Sequence, residues 1–148
     1  MLDLKQEKVW KKNISSLPVS FAEQLQSSNM EFFQQGNQLL IIGGYGYSET
    51  KRDHITHPAV IRIKVKELIN AIITSQDISP FIVQLIDERM AVTGGRLNKL
   101  GNLLYLVGGQ RFDGRYNPHG PDHGPGFSQQ YTNQIRKFTL TEKKGSLS

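Results

Sequence analysis

The sequence predicts an all-β fold built from repeated four-stranded antiparallel units, and three observations carry that expectation. First, GNQLLIIGG at 36–44 returns as GNLLYLVGG at 101–109, a spacing of 65 residues. Second, each copy is followed by a long polar segment and then another apolar strand: AVIRIKV at 59–65 and NQIRKFTL at 133–140. Both contain Ile-Arg, as Ile61-Arg62 and Ile135-Arg136. Third, LLIIGG and LLYLVGG are short apolar runs bounded by turn residues, the pattern of a strand buried on both faces.

Taken in order, LDLKQEKVW at 2–10 reads as a strand, a polar turn and a second strand ending in Trp10. It resembles the closing half of a unit. SSLPVSF at 15–21 then leads into the next one. NMEFFQQ (29–35) is its first strand, and the Gly36-Asn37 turn joins it to the second. AVIRIKV (59–65) is the third. In VKELINAII, Val65, Leu68, Ile69, Ile72 and Ile73 fall on one helical face, so a short helix is expected near 66–74. PFIVQLI (80–86) is the fourth strand. The second copy repeats the first hairpin with GGRLNKL (94–100) before Gly101-Asn102, and its third strand is NQIRKFTL. The expected divisions are 1–20 as the end of a preceding unit, 21–87 a whole unit, 88–140 a partial unit and 141–148 a tail. Each Gly-Gly pair ends a buried strand, where a backbone conformation or close approach forbidden to other residues is expected.

Strands closed by Gly43-Gly44 and Gly108-Gly109, with Leu2-Asp3-Leu4 and Trp10 across a preceding pair of strands, resemble the kelch repeat. That repeat is the blade of a β-propeller in the galactose oxidase/kelch superfamily. The resemblance covers nearly the whole chain. It implies four-stranded antiparallel blades of a kelch-type propeller, into which the helix read from the spacing at 66–74 is inserted. About two and a quarter blades form an incomplete ring, so the chain reads as a fragment or as an oligomer's subunit. Further blades from the same or another chain are then expected partners. Phe81 stands where a fourth-strand Trp would be.

Composition bounds the function. A chain of 148 residues is one ordinary domain, burying roughly 70% of its unfolded surface. It has no cysteine, so neither disulfides nor thiolate chemistry are available. No apolar run approaches the roughly 20 residues of a membrane span, and the N-terminal MLDLKQEKVWKK has no apolar signal-peptide core. Compartment is not indicated. The net charge is +5, but residues 13–135 carry ten basic and ten acidic side chains, so the excess lies at the two ends. A nucleic-acid binder clusters its cations on one face, so no nucleic acid is expected.

Two segments stand out for length and chemistry: YGYSETKRDHITHP (45–58) and QRFDGRYNPHGPDHGPGFSQQYT (110–132). Both fall between second and third strands, and an up-and-down unit projects them from one end. Both are expected as long polar loops, of a length that is usually functional. Tyr45, Tyr47, Arg111, Arg115, Tyr116 and Phe127 supply the aromatic and guanidinium groups typical of binding surfaces. These six are the candidate ligand-binding residues, for a protein or glycan. All four histidines, His54, His57, His119 and His123, sit in the same segments. With Asp122 they are the candidate metal ligands. Their spacing on irregular segments fixes no geometry, so no metal or other cofactor is expected, nor is calcium at Asp113, Asn117 and Asp122. No nucleophile elbow, P-loop or paired carboxylates are present. The expectation is a non-catalytic binding or interaction module. The alternative is a fragment of a sugar-acting propeller enzyme, mutarotase- or oxidase-like, with its catalytic residues elsewhere.

Overall fold

A computed structural model describes residues 2–3, 5–117, 119, 126–143 and 146–147. Two short strands open it, β1 (Leu2–Asp3) and β2 (Lys8–Val9), paired antiparallel. Trp10 follows half-buried, with Lys8 Nζ 5.0 Å from its ring centroid. A 3-10 turn (Ile14–Ser16) is capped by the Asn13 side chain, which accepts from Ser15 N. Helix α1 (Val19–Leu25) comes next and was not anticipated from the sequence. Its signal is Leu17, Phe21, Gln24 and Leu25, spaced for one helical face.

The first sheet contains β3 (Glu31–Gln35), β4 (Gln38–Ile42), β7 (Ala59–Lys64) and β8 (Ile82–Ile86), in the order β3-β4-β7-β8 and all antiparallel. These are the four expected strands, shortened slightly. Between β4 and β7 the expected loop is instead a hairpin, β5 (Tyr45–Ser48) and β6 (Asp53–Thr56). The helix expected near 66–74 is α2 (Val65–Ile73). It buries Ala71 and packs Leu68 and Ile72 inward, while Ile73 turns out at 38% exposure. The second sheet has β9 (Arg96–Leu100), β10 (Leu103–Val107) and β13 (Ile135–Phe138), in the order β13-β10-β9. Here too the expected loop is a hairpin, β11 (Gln110–Asp113) and β12 (Ser128–Tyr131). A last pair, β14 (Glu142–Lys143) and β15 (Ser146–Leu147), lies in what was expected as a tail.

The duplication extends to backbone conformation. Residues 65 apart share left-handed φ values: Gly36 and Gly101 at 57° and 59°, Gly43 and Gly108 at 63° and 68°, Asn29 and Gly94 at 53° and 65°. The isolated bridges Ser28–Tyr45 and Thr93–Gln110 obey the same spacing. Strand register corrects one equivalence. Ile42 pairs with Val60 and Val107 with Ile135, so Ile135 corresponds to Val60 and Lys137 to Arg62. The two Ile-Arg pairs are therefore one residue out of step, and Ile61 corresponds to Arg136.

Alternation along each strand sends successive side chains to opposite faces. Leu39, Ile41, Ile61, Ile63 and Ile82 face one side of the first sheet, where α1, α2 and the 3-10 turn supply Leu17, Phe21, Leu25, Leu68 and Ile72. Leu40, Ile42 and Val60 face the other side and meet Leu97, Leu104 and Leu106 of the second sheet. Since Leu104 and Leu106 correspond to Leu39 and Ile41, the sheets stack in the same sense, unlike faces together. Fully burying each such aliphatic side chain contributes about 1.5–3 kcal/mol. Polar groups tie the same seam. Gly44 N donates to Val92 O (2.9 Å), Gly94 N to Asn29 O (2.8 Å) and Leu97 N to the Glu31 carboxylate (3.1 Å).

Candidate functional site

Both hairpins leave their sheets directly after a Gly-Gly pair and so project at the same end. There they dock on each other. Thr56, 1% exposed, donates through Oγ1 to Phe112 O and accepts from Phe112 N, both at 2.7 Å. Thr56 N donates to Asp113 Oδ1 (3.0 Å), and Gly114 N to His54 O (2.7 Å). A single threonine thus satisfies both backbone groups of a buried phenylalanine across two hairpins that start 65 residues apart.

An aromatic chain crosses this junction. The Tyr45 ring meets Phe112 edge-on at 4.9 Å, and Phe112 stacks on Phe127 at 4.7 Å with an 18° interplanar angle. Tyr116 closes the group, 6.0 Å from Phe112 and 5.4 Å from Phe127. On the other side His54 bridges Tyr45 (5.8 Å) and Tyr47 (5.4 Å). The Tyr45 hydroxyl donates to Gly114 O (2.7 Å) and accepts from Tyr116 N (3.1 Å), which fixes the bend that turns Tyr116 back onto the cluster. Burial pushes the Tyr45 phenol up, the Tyr116 N–H opposes this, and Asp53 and Asp113 add to the rise. It is a neutral hydroxyl near pH 7. Beside the cluster lies a cleft of about 250 Å³ bounded by Asn29, Tyr45, Thr93, Gln110, Phe112 and Tyr116. Its walls come from both copies of the repeat.

The six candidate ligand-binding residues separate. Tyr116 and Phe127 meet directly, Tyr45 joins them through Phe112, and Tyr47 joins through His54. Tyr47, Tyr116 and Phe127 remain 45%, 59% and 37% exposed, whereas Phe112 is 8% exposed and holds the group together. Arg111 lies on the opposite face of β11 from Phe112 by strand alternation. Its Nε donates to Asp113 Oδ2 (2.6 Å) and it pairs with Glu88 (3.1 Å); these partners, Asp113 first, hold its charge more firmly. Arg111 is a tether at the base of the hairpin. Arg115 is exposed beside Tyr116.

The histidines also part company. His54 is sandwiched by tyrosines, while His57 is buried at 4% exposure beneath Gly46, with Nε2 lacking a hydrogen-bond partner among the described residues. Burial lowers the His57 pKa, and the Glu23 carboxylate partly offsets this. His119 lies farther along the 110–132 segment, while His123 and Asp122 fall outside the described residues. Among the described residues no three His, Asp or Glu side chains gather as a metal-binding group. Asp113 is engaged by Arg111 and Thr56. Sequence reasoning does not reach Thr56, Asn29, Thr93 and Gln110, and it sees Phe112 as one of the aromatic residues of its segment without placing it in the ligand-binding set. A signal existed for Phe112: it lies three residues after Gly109, as Tyr47 lies three after Gly44.

No protein-family model, curated protein or solved structure matches the chain. Among the described residues no helix is long and apolar enough to cross a membrane.

Proposed function

We propose that the chain is a non-catalytic binding module, part of a kelch-type β-propeller, and that the hairpin end is its recognition surface. The observation that carries this reading is the exposed aromatic group. Tyr47, Tyr116 and Phe127 present ring surface to solvent from a junction tied by hydrogen bonds at Thr56, Asp113 and Gly114. Aromatic anchors on a rigid support bind with little ordering cost. The propeller part of the proposal rests on the repeat: two sheets 65 residues apart, matched in left-handed positions and stacked unlike face to unlike face, as successive blades would be.

The ligand class is a protein or a glycan with an apolar face. The cleft between the copies offers aromatic rings with Asn29, Thr93 and Gln110, an uncharged set. The test is binding of the full chain to glycan and peptide arrays, beside Tyr116→Ala and Phe127→Ala. Truncated interface anchors commonly cost about 2 kcal/mol or more. The variants should keep the wild-type melt and lose the array signal at least tenfold, roughly what 1.4 kcal/mol corresponds to. Retained binding by both would place recognition elsewhere.

A further inference from the structure

The two sheets differ at one edge. In the first, β7 is paired on its far side by β8; in the second, β13 occupies the place of β7 and no strand among the described residues pairs with its outer edge. Beside that edge runs a groove of about 720 Å³, lined by the consecutive residues Gln134 to Leu140 on one side and by Leu85 and Asp87 to Met90 on the other. An open strand edge in a groove is a template for another strand. Within the groove, Arg136 Nη1 is buried without a hydrogen-bond partner among the described residues, and burial lowers the pKa of its guanidinium. The carboxylates nearby are taken: Asp87 by Arg89 and Glu88 by Arg111.

We propose that the edge of β13 accepts an antiparallel strand from a partner polypeptide, one that places a carboxylate opposite Arg136 between two apolar residues. The first sheet supplies the template, so the inference rests on the repeat reading above. Ile63 pairs with Ile82, Ile61 with Gln84 and Ala59 with Ile86. Since Arg136 corresponds to Ile61, the incoming residue opposite it takes the place of Gln84. Its groove-facing neighbours take the places of Ile82 and Ile86, where Leu85 and Met90 line the far wall. An acidic residue at the middle position gives Arg136 Nη1 an acceptor, and apolar residues on either side fill the groove. Main-chain pairing supplies affinity and the carboxylate supplies register and choice.

The test uses the full chain and two synthetic peptides with the sequence of residues 79–88, one carrying Gln84→Glu and the other Gln84→Lys. Calorimetry gives affinity, and amide exchange gives location. The Glu peptide should bind and slow exchange at 135–138, and it should bind at least about tenfold more tightly than the Lys peptide. An Arg136→Glu chain with an unchanged melt should reverse that order. Because the two peptides are compared on the unmodified chain, the result does not depend on the variant folding. No binding at millimolar peptide, equal binding of the two peptides, or protection at 59–63 instead of 135–138 would each overturn the proposal. Tyr116→Ala should leave peptide binding unchanged, so failure at the hairpin end and failure at this edge are read separately.

Discussion

Replacing Gly43 and Gly108 by alanine, one at a time, separates backbone strain from crowding at the seam between the sheets. The two glycines are equivalent in the repeat and nearly identical in φ, 63° and 68°. A non-glycine residue held there costs about 1–2 kcal/mol at either site. Their surroundings differ. A Cβ on Gly108 meets nothing within 4 Å. A Cβ on Gly43 falls onto the carbonyl oxygen of Val92, with Val92 C at 2.9 Å and Cγ1 at 3.2 Å. Backbone cannot rotate away as a side chain can. Relief requires shifting residue 92, which also carries the Gly44 N–H to Val92 O bond of 2.9 Å. Overpacking adds about 1–3 kcal/mol and the weakened bond about 1 kcal/mol. Gly43→Ala should therefore cost roughly 3–6 kcal/mol and Gly108→Ala about 1–2 kcal/mol. Urea unfolding followed by circular dichroism measures both, read as midpoint shifts at constant slope. Equal costs for the two variants would refute the close approach of the sheets at Val92.

Thr56→Val should destabilise by roughly 2–4 kcal/mol in the same melts, since it strands the buried N–H and C=O of Phe112. Gln24→Leu should cost roughly 1–3 kcal/mol: Gln24 is 0% exposed, and its amide donates to Gly43 O and Ala59 O while its oxygen accepts from Gln84. His57 gives a pH dependence. Burial lowers its pKa below the ordinary 6.5, so below that pH the unfolded chain takes up a proton more readily than the folded one. Its contribution should be fully present above pH 6.5 and fall as pH drops through 6.5 toward the lower folded value. His57→Gln should flatten that slope in chemical melts run at a series of pH values; an unchanged slope would contradict the neutral, buried ring.

The sheets were legible because strand period and repeat agree. Gly36-Asn37 and Gly101-Asn102 fix two hairpins, and the apolar runs after them can only be strands. Helix α2 was legible from its spacing, and Ile73 departs because the helix rests on Ala71, a small residue that lets its axis approach β7. Helix α1 is hidden in the sequence because its face includes Gln24, a polar residue buried to satisfy backbone carbonyls at Gly43 and Ala59. The two hairpins look like loops in the sequence because their strands are polar: Asp53 to Thr56 and Ser128 to Tyr131 carry no apolar alternation, and their order comes from pairing with Tyr45–Ser48 and Gln110–Asp113. The aromatic candidates were visible as residue types. Their grouping was not, because it depends on Thr56 joining two segments far apart in sequence. Arg111 looked like an anchor, and only the positions of Glu88 and Asp113 show it to be a tether.

The recognition surface is tested most directly by mapping where a ligand selected on the arrays touches the chain. Aromatic and amide resonances of the isotope-labelled protein would be followed through a titration with that ligand. Shifts are expected at the rings of Tyr47, Tyr116 and Phe127 and at the Gly114 amide, with the Gly36-Asn37 and Gly101-Asn102 turns unaffected. Shifts centred on those turns, with the three rings unmoved, would contradict it.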